Sequence, residues 1–108
     1  MKESFGHYLR KRRKDFGMNQ TQLAVKLKMD AAKLSKIENG KMTVDESRLN
    51  LISRALKIDL KTIKIRYYGD CIAQTLYKNK CNDETLMVAE EILNYYKITN
   101  VKQGNLIF

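Results

Sequence analysis

Residues 17–41 read Gly17-Met18-Asn19-Gln20-Thr21-Gln22-Leu23-Ala24-Val25-Lys26-Leu27-Lys28-Met29-Asp30-Ala31-Ala32-Lys33-Leu34-Ser35-Lys36-Ile37-Glu38-Asn39-Gly40-Lys41. The stretch is punctuated at both ends and in the middle. Gly17 suits a helix stop, because only glycine enters the left-handed region without a steric penalty. Asn19 can cap a short helix over 20–27, whose buried side is Leu23, Ala24 and Leu27. Lys28 and Met29 make a tight turn. Asp30 caps a second short helix over 31–38, with Leu34 and Ile37 turned inward, and Asn39-Gly40 ends it. Two helices of about two turns, joined this closely, must cross at a steep angle. Small Ala24 lets them approach. The spacing then leaves Ala31, Ala32, Ser35 and Lys36 on the outward side of the second helix. A helix presented this way fits the major groove of B-DNA.

Outward from this pair the apolar positions keep helical spacing. Ser4 caps a helix over 4–16 carrying Phe5, Tyr8, Leu9 and Phe16. Asp45 is read as the cap of a helix near 46–57, with Leu49, Ile52, Ala55 and Leu56 as its stripe. Asp59 caps the next. The pattern then runs from Leu60 to Leu76 as one long helix, or as two broken at Gly69. Asn82 caps a last helix over 83–97, with Leu86, Ala89, Leu93 and Tyr96 on one side. Residues 98–108 have no helical period and end in Leu106-Ile107-Phe108, read as a frayed end or a segment docked on a partner subunit. Strand signals are weak throughout and proline is absent. The expected fold class is all-α: a five-helix DNA-binding domain over 1–69 and a helical extension over 70–108.

The chain has 108 residues, 44% hydrophobic and 31% charged, which fits one compact domain and excludes disordered and collagen-like classes. No apolar run is long enough to span a membrane. The charged N-terminal stretch 1–14 is unlike a secretory signal, so a cytoplasmic setting is expected. Net charge is +9, unevenly spread. Residues 1–41 hold eleven basic and four acidic side chains, residues 42–69 six and three, and residues 70–108 four and five. A strongly basic part thus joins a near-neutral one, as expected of a polyanion-binding unit with an extension of separate purpose.

The motif resembles the helix-turn-helix of the Cro/phage-repressor, or Xre, family. The resemblance rests on Gly17 through Ala24, on Leu34 through Lys41, on Phe5-Gly6, Leu9-Arg10 and Arg13 before them, and on 44–60 after them. It covers roughly residues 4–68. Lys28 stands where the family often has glycine, Asn19 where it has Ser or Thr, and Val44 where it commonly has proline. The resemblance implies roles residue by residue. Gln20 contacts a phosphate and braces the recognition helix. Ala31 and Ala32 face base edges, where alanine can touch a thymine methyl but cannot hydrogen-bond. Lys33 and Lys36 reach guanine acceptors or phosphates, and Ser35 either. Asn39, Lys41 and the backbone beside Gly40 meet phosphate. Arg13 pairs with Glu38 and locks the first helix to the recognition helix. Within the basic run 10–14, Arg10 and Lys14 lie one turn apart and suit the phosphate backbone. With base contacts this sparse, DNA shape should contribute to readout.

Other candidates are weak. Cys71 and Cys81, ten residues apart, suit neither metal ligation nor a redox pair and are read as free thiols. His7 lacks a catalytic constellation. Asp83-Glu84 suits a helix N-terminus, and Glu90-Glu91 diverge around their helix too far to act as a dyad. No cofactor, metal site or enzymatic activity is expected. Five of the six tyrosines lie in 67–96. They are either a local core or a dimerisation surface, for which Ile65, Tyr68, Ile72 and Leu76 are the candidates. The expected function is sequence-specific double-stranded-DNA binding by a homodimeric transcriptional repressor. Controllers of restriction–modification systems are one subgroup with this look. The alternative is an antitoxin that uses 70–108 to bind a partner toxin.

Overall fold

The computed structural model describes residues 3–103, and among them all regular structure is helical. The helices are α1 (Phe5–Phe16), α2 (Gln20–Lys26), α3 (Ala31–Glu38), α4 (Leu49–Leu56), α5 (Leu60–Lys78) and α6 (Asp83–Gln103), with a 3-10 turn, Glu46–Arg48, leading into α4. The chain forms two compact units whose boundary lies between Cys71 and Ile72, inside α5.

The first unit is built from local hydrogen bonds that the sequence announces. The Ser4 hydroxyl accepts from the His7 amide at the start of α1. Gly17, at φ 86°, ends α1, and the Gly17 and Met18 amides turn back to the Lys14 and Arg13 carbonyls. At α2, Asn19 Oδ1 accepts from the Gln22 amide and Gln22 Oε1 from the Asn19 amide, a reciprocal capping box. Asp30 Oδ1 accepts from the Lys33 amide at 2.7 Å and caps α3. Lys28, between α2 and α3, is left-handed at φ 58°.

These helices enclose one core. Phe5, Tyr8 and Leu9 of α1 meet Leu23, Ala24 and Leu27, then Leu34 and Ile37 of α3. Val44 before the 3-10 turn, Leu49, Ile52 and Leu56 of α4, and Ile63 and Tyr67 of α5 close it. The Tyr67 ring stands edge-on to Phe5 at 5.3 Å, and its hydroxyl donates to the Val44 carbonyl at 2.7 Å. Gly6 marks the closest approach of α1 to α3: a Cβ there would lie 1.9 Å from the Ile37 carbonyl oxygen.

Several sequence expectations change. Phe16 keeps the apolar spacing of α1, yet it sits in the last turn and is 42% exposed, because α1 overshoots the core. Asp45 stands at the N-cap position of the turn Glu46–Arg48, but its side chain makes no capping bond. Its carboxylate is taken by the Ser47 hydroxyl and the Arg48 guanidinium, which favour the charged form and hold its pKa below the ordinary aspartate range. Gly69 interrupts nothing: α5 runs through it, with open space where a Cβ would stand.

In the second unit, Lys80 turns the chain at φ 54° and Asn82 Oδ1 accepts from the Glu84 amide, starting α6. The helix continues to Gln103, past the expected end at residue 97. Leu106-Ile107-Phe108 lie outside the described residues. No residue of α6 between 83 and 99 is buried.

Candidate nucleic-acid interface

The outward side of α3 is built by subtraction. Leu34, Ile37 and Glu38 are buried, and that fixes which side chains remain. Ala32 and Lys36 are exposed, while Lys33 and Ser35 are half-buried. Ala31 is half-buried too and packs partly against the core, so it offers less surface than Ala32. Asn39 and Lys41 stand exposed just beyond the helix. The Gly40 and Lys41 amides donate to the Ile37 and Lys36 carbonyls, a glycine-terminated closure of α3. Those two N–H groups are therefore occupied within the chain.

What holds this surface still is a buried charge network. Arg13 Nε lies 2.7 Å from Glu38 Oε2 and its second terminal nitrogen 2.9 Å from Oε1, a bidentate pair. The remaining guanidinium nitrogen donates to the Met18 carbonyl at 2.8 Å. Arg13 is 6% exposed and Glu38 wholly buried. Gln20 Nε2 donates to Glu38 Oε1 at 3.1 Å. One carboxylate at the end of α3 thereby gathers a cation from α1 and an amide from the first residue of α2. Gln20 is placed to brace α3, and it is itself half-buried.

The basic run on α1 divides as the helix turns. Arg13 is internal. Arg12 pairs with Asp15 one turn on. Arg10, Lys11 and Lys14 remain, lining one shallow surface with His7. Farther away, Arg66 lies over the Tyr8 ring at 4.7 Å and reaches Glu3 at 3.6 Å, so its charge is used within the first unit.

Arg48 was not singled out by sequence. Its Nε donates to the Leu27 carbonyl at 2.9 Å and its terminal nitrogen to the Lys28 carbonyl at 3.0 Å. It thus secures the turn that sets the crossing of α2 and α3. No local pattern around residue 48 signals contacts 20 residues back. Of the surface candidates on α5, Ile65, Tyr68 and Ile72 are exposed and Leu76 is half-buried. The tyrosines split: Tyr67 belongs to the core, whereas Tyr77 is 87% exposed. Burial pushes the half-buried Cys71 thiol up, away from the thiolate, and Cys81 is exposed. Among the described residues no three His, Cys, Asp or Glu side chains cluster as metal ligands, and no helix is long and apolar enough to cross a membrane.

Two short helices joined by a tight turn, clamped at the base and bare along one side of the second, form a helix-turn-helix. The sequence model of the helix-turn-helix family matches residues 9–63, half of the chain. The chain belongs to the Xre-type helix-turn-helix family. In the family's terms α2 is the first helix of the motif and α3 the recognition helix. Among solved structures, the chain is similar to the clp gene regulator ClgR from Corynebacterium glutamicum, with 25% identity and a TM-score of 0.53. The alignment covers 69% of this chain and 80% of that one. No curated protein matches. Of the departures from the family pattern, Lys28 takes up the left-handed turn normally given to glycine, at a cost of about 1 kcal/mol. Asn19 caps as well as the serine or threonine it replaces, and Val44 is buried in the core.

Proposed function

We propose that the protein is a sequence-specific double-stranded-DNA-binding transcriptional regulator that acts as a homodimer and represses. The observation that carries this reading is the bare side of α3, held by the Arg13–Glu38–Gln20 network. Ala32 and Lys36 meet base edges there, with part of Ala31, Lys33 and Ser35. Gln20, Asn39, Lys41, Arg10 and Lys14 meet phosphate on either side. Phosphate contacts set the register, and the few base contacts and DNA shape set the sequence. One such helix covers half a site, and a two-fold dimer spans two half-sites about one helical turn apart. Repression then follows where such a site overlaps a promoter. The likeness to a gene regulator supports the regulatory reading. Ile65, Tyr68, Ile72 and Leu76 are candidates for the surface between copies.

Selection of bound duplexes from a random pool tests the proposal. The expected result is a recovered motif with two-fold symmetry and half-sites one turn apart. Recovery of no motif would contradict it. A second reading, an antitoxin that binds DNA and also a partner toxin, draws support from the apolar residues that α6 leaves uncovered. Copurification of a second small protein at fixed stoichiometry would favour it over the regulator acting alone.

A further inference from the structure

The helix α6 has 21 residues and buries none of those between 83 and 99. Leu86, Val88, Ile92 and Leu93 are each between 44% and 50% exposed. Helices in proteins draw most of their stability from packing an apolar side, and this one carries β-branched Val88, Ile92 and Ile98, which lower its intrinsic propensity. It requires cover.

Its pattern says what the cover is. At roughly 100° per residue, Val88, Ile92, Tyr96, Ala89, Leu93 and Leu86 follow one another across one side of the helix. No charged residue of α6 falls among them. Charges flank this band. Glu90 and Lys97 share the edge beside Leu86, the acid toward the N-terminus and the base toward the C-terminus, while Glu84 and Glu91 lie beyond Val88. The midpoint of Glu90 and Lys97 falls within one residue of Leu93. So does the midpoint of Ala89 and Tyr96, the smallest and one of the largest side chains of the band.

We infer that α6 pairs antiparallel with α6 of a second copy, about a two-fold axis at Leu93. In that register Glu90 of each copy faces Lys97 of the other. Each contact occurs twice, as an isologous interface requires. Tyr96 of each copy lies over the space left by Ala89 of the other. The helix dipoles run in opposite directions, which also favours the pair. The extension's near balance of four basic and five acidic residues removes the repulsion that the basic first unit would impose. This inference rests on the homodimer reading above and locates the pairing on α6, with the α5 candidates as a lesser contribution.

Sedimentation equilibrium of the full chain tests it, on the wild type, Glu90→Lys, Lys97→Glu and the double exchange Glu90→Lys/Lys97→Glu. Both positions are exposed, and circular dichroism verifies that helicity is kept. The wild type is expected to be a dimer. Each single reversal turns two attractive contacts repulsive and is expected to weaken the dimer about tenfold. The double exchange is expected to restore it to within about threefold of wild type. A dimer unmoved by the single reversals, or not restored by the double exchange, overturns the α6 pairing and leaves the homodimer standing. A wild type that is monomeric at every concentration, or that associates only with a different protein, overturns both.

Discussion

Arg13 and Glu38 show how much of the reading surface depends on two side chains that never face it. A buried pair adds little over an apolar one, but losing one partner leaves the other charge without compensation. Arg13→Ala or Glu38→Ala should each destabilise the domain by about 3–5 kcal/mol. Arg13→Met/Glu38→Leu together should cost markedly less than the sum of the single losses, as a double-mutant cycle by urea unfolding would register. Tyr67 gives a second prediction. Burial, helped by Cys71 and Glu46, pushes its hydroxyl up to about 12 from an ordinary 10. The unfolded chain therefore releases this proton first. The contribution is complete below pH 10 and is lost as pH rises from 10 through 12, by about 2–3 kcal/mol in all. Tyr67→Phe should cost about 1 kcal/mol near neutrality by leaving the Val44 carbonyl without its donor. It should also remove that part of the alkaline decline. Unfolding midpoints of both proteins at pH 8 and pH 11 test this, and equal losses on going to pH 11 would contradict it.

At the scale of elements, the fit between α1 and α3 is set by a missing atom. Placing a methyl at residue 6 puts it 1.9 Å from a backbone oxygen, and no rotamer can relieve that. Gly6→Ala should destabilise by about 2–3 kcal/mol or more, although alanine is the better helix former by about 1 kcal/mol. Thermal unfolding reads the sign. A more stable variant would show that α1 and α3 are not so close. The caps of α1, α2 and α3 were legible from Ser4, Gly17, Asn19 and Asp30 because each bond spans only a few residues. Asp45 misled for the opposite reason. The residue that claims its carboxylate, Arg48, is itself positioned by carbonyls at 27 and 28, and no window of neighbouring sequence contains that contact. Gly69 left one helix or two open because a glycine in a helix interior costs only about 1 kcal/mol, which neighbouring turns can absorb. The outward set on α3 was legible from spacing, except that Ala31 also serves the core. The extent of α6 was not, because its apolar residues cover more than one side and mask the helical period.

For the whole molecule, the governing quantity is the net charge of +9, concentrated ahead of residue 70. Arg10, Lys14, Lys33, Lys36 and Lys41 are the cations nearest the proposed DNA path. If four or five of them neutralise phosphates, log affinity should fall against log salt with a slope of roughly −4 per copy. Arg10→Ala/Lys14→Ala should flatten that slope by about 2 while leaving preference among sequences unchanged. Fluorescence anisotropy on specific and random duplexes checks both. The charge division between the two units was plain from the sequence. The use of the second unit was not, because a helix without a core of its own takes its meaning from what covers it.

The central claim is that the side of α3 carrying Ala32 and Lys36 lies against base pairs. Lys36→Ala tests it most directly, with affinity measured on the selected site and on random duplex at one salt concentration. A lost base contact should weaken the selected site by about 1–3 kcal/mol while random DNA changes far less. Equal loss on both, or no loss on either, would contradict the account.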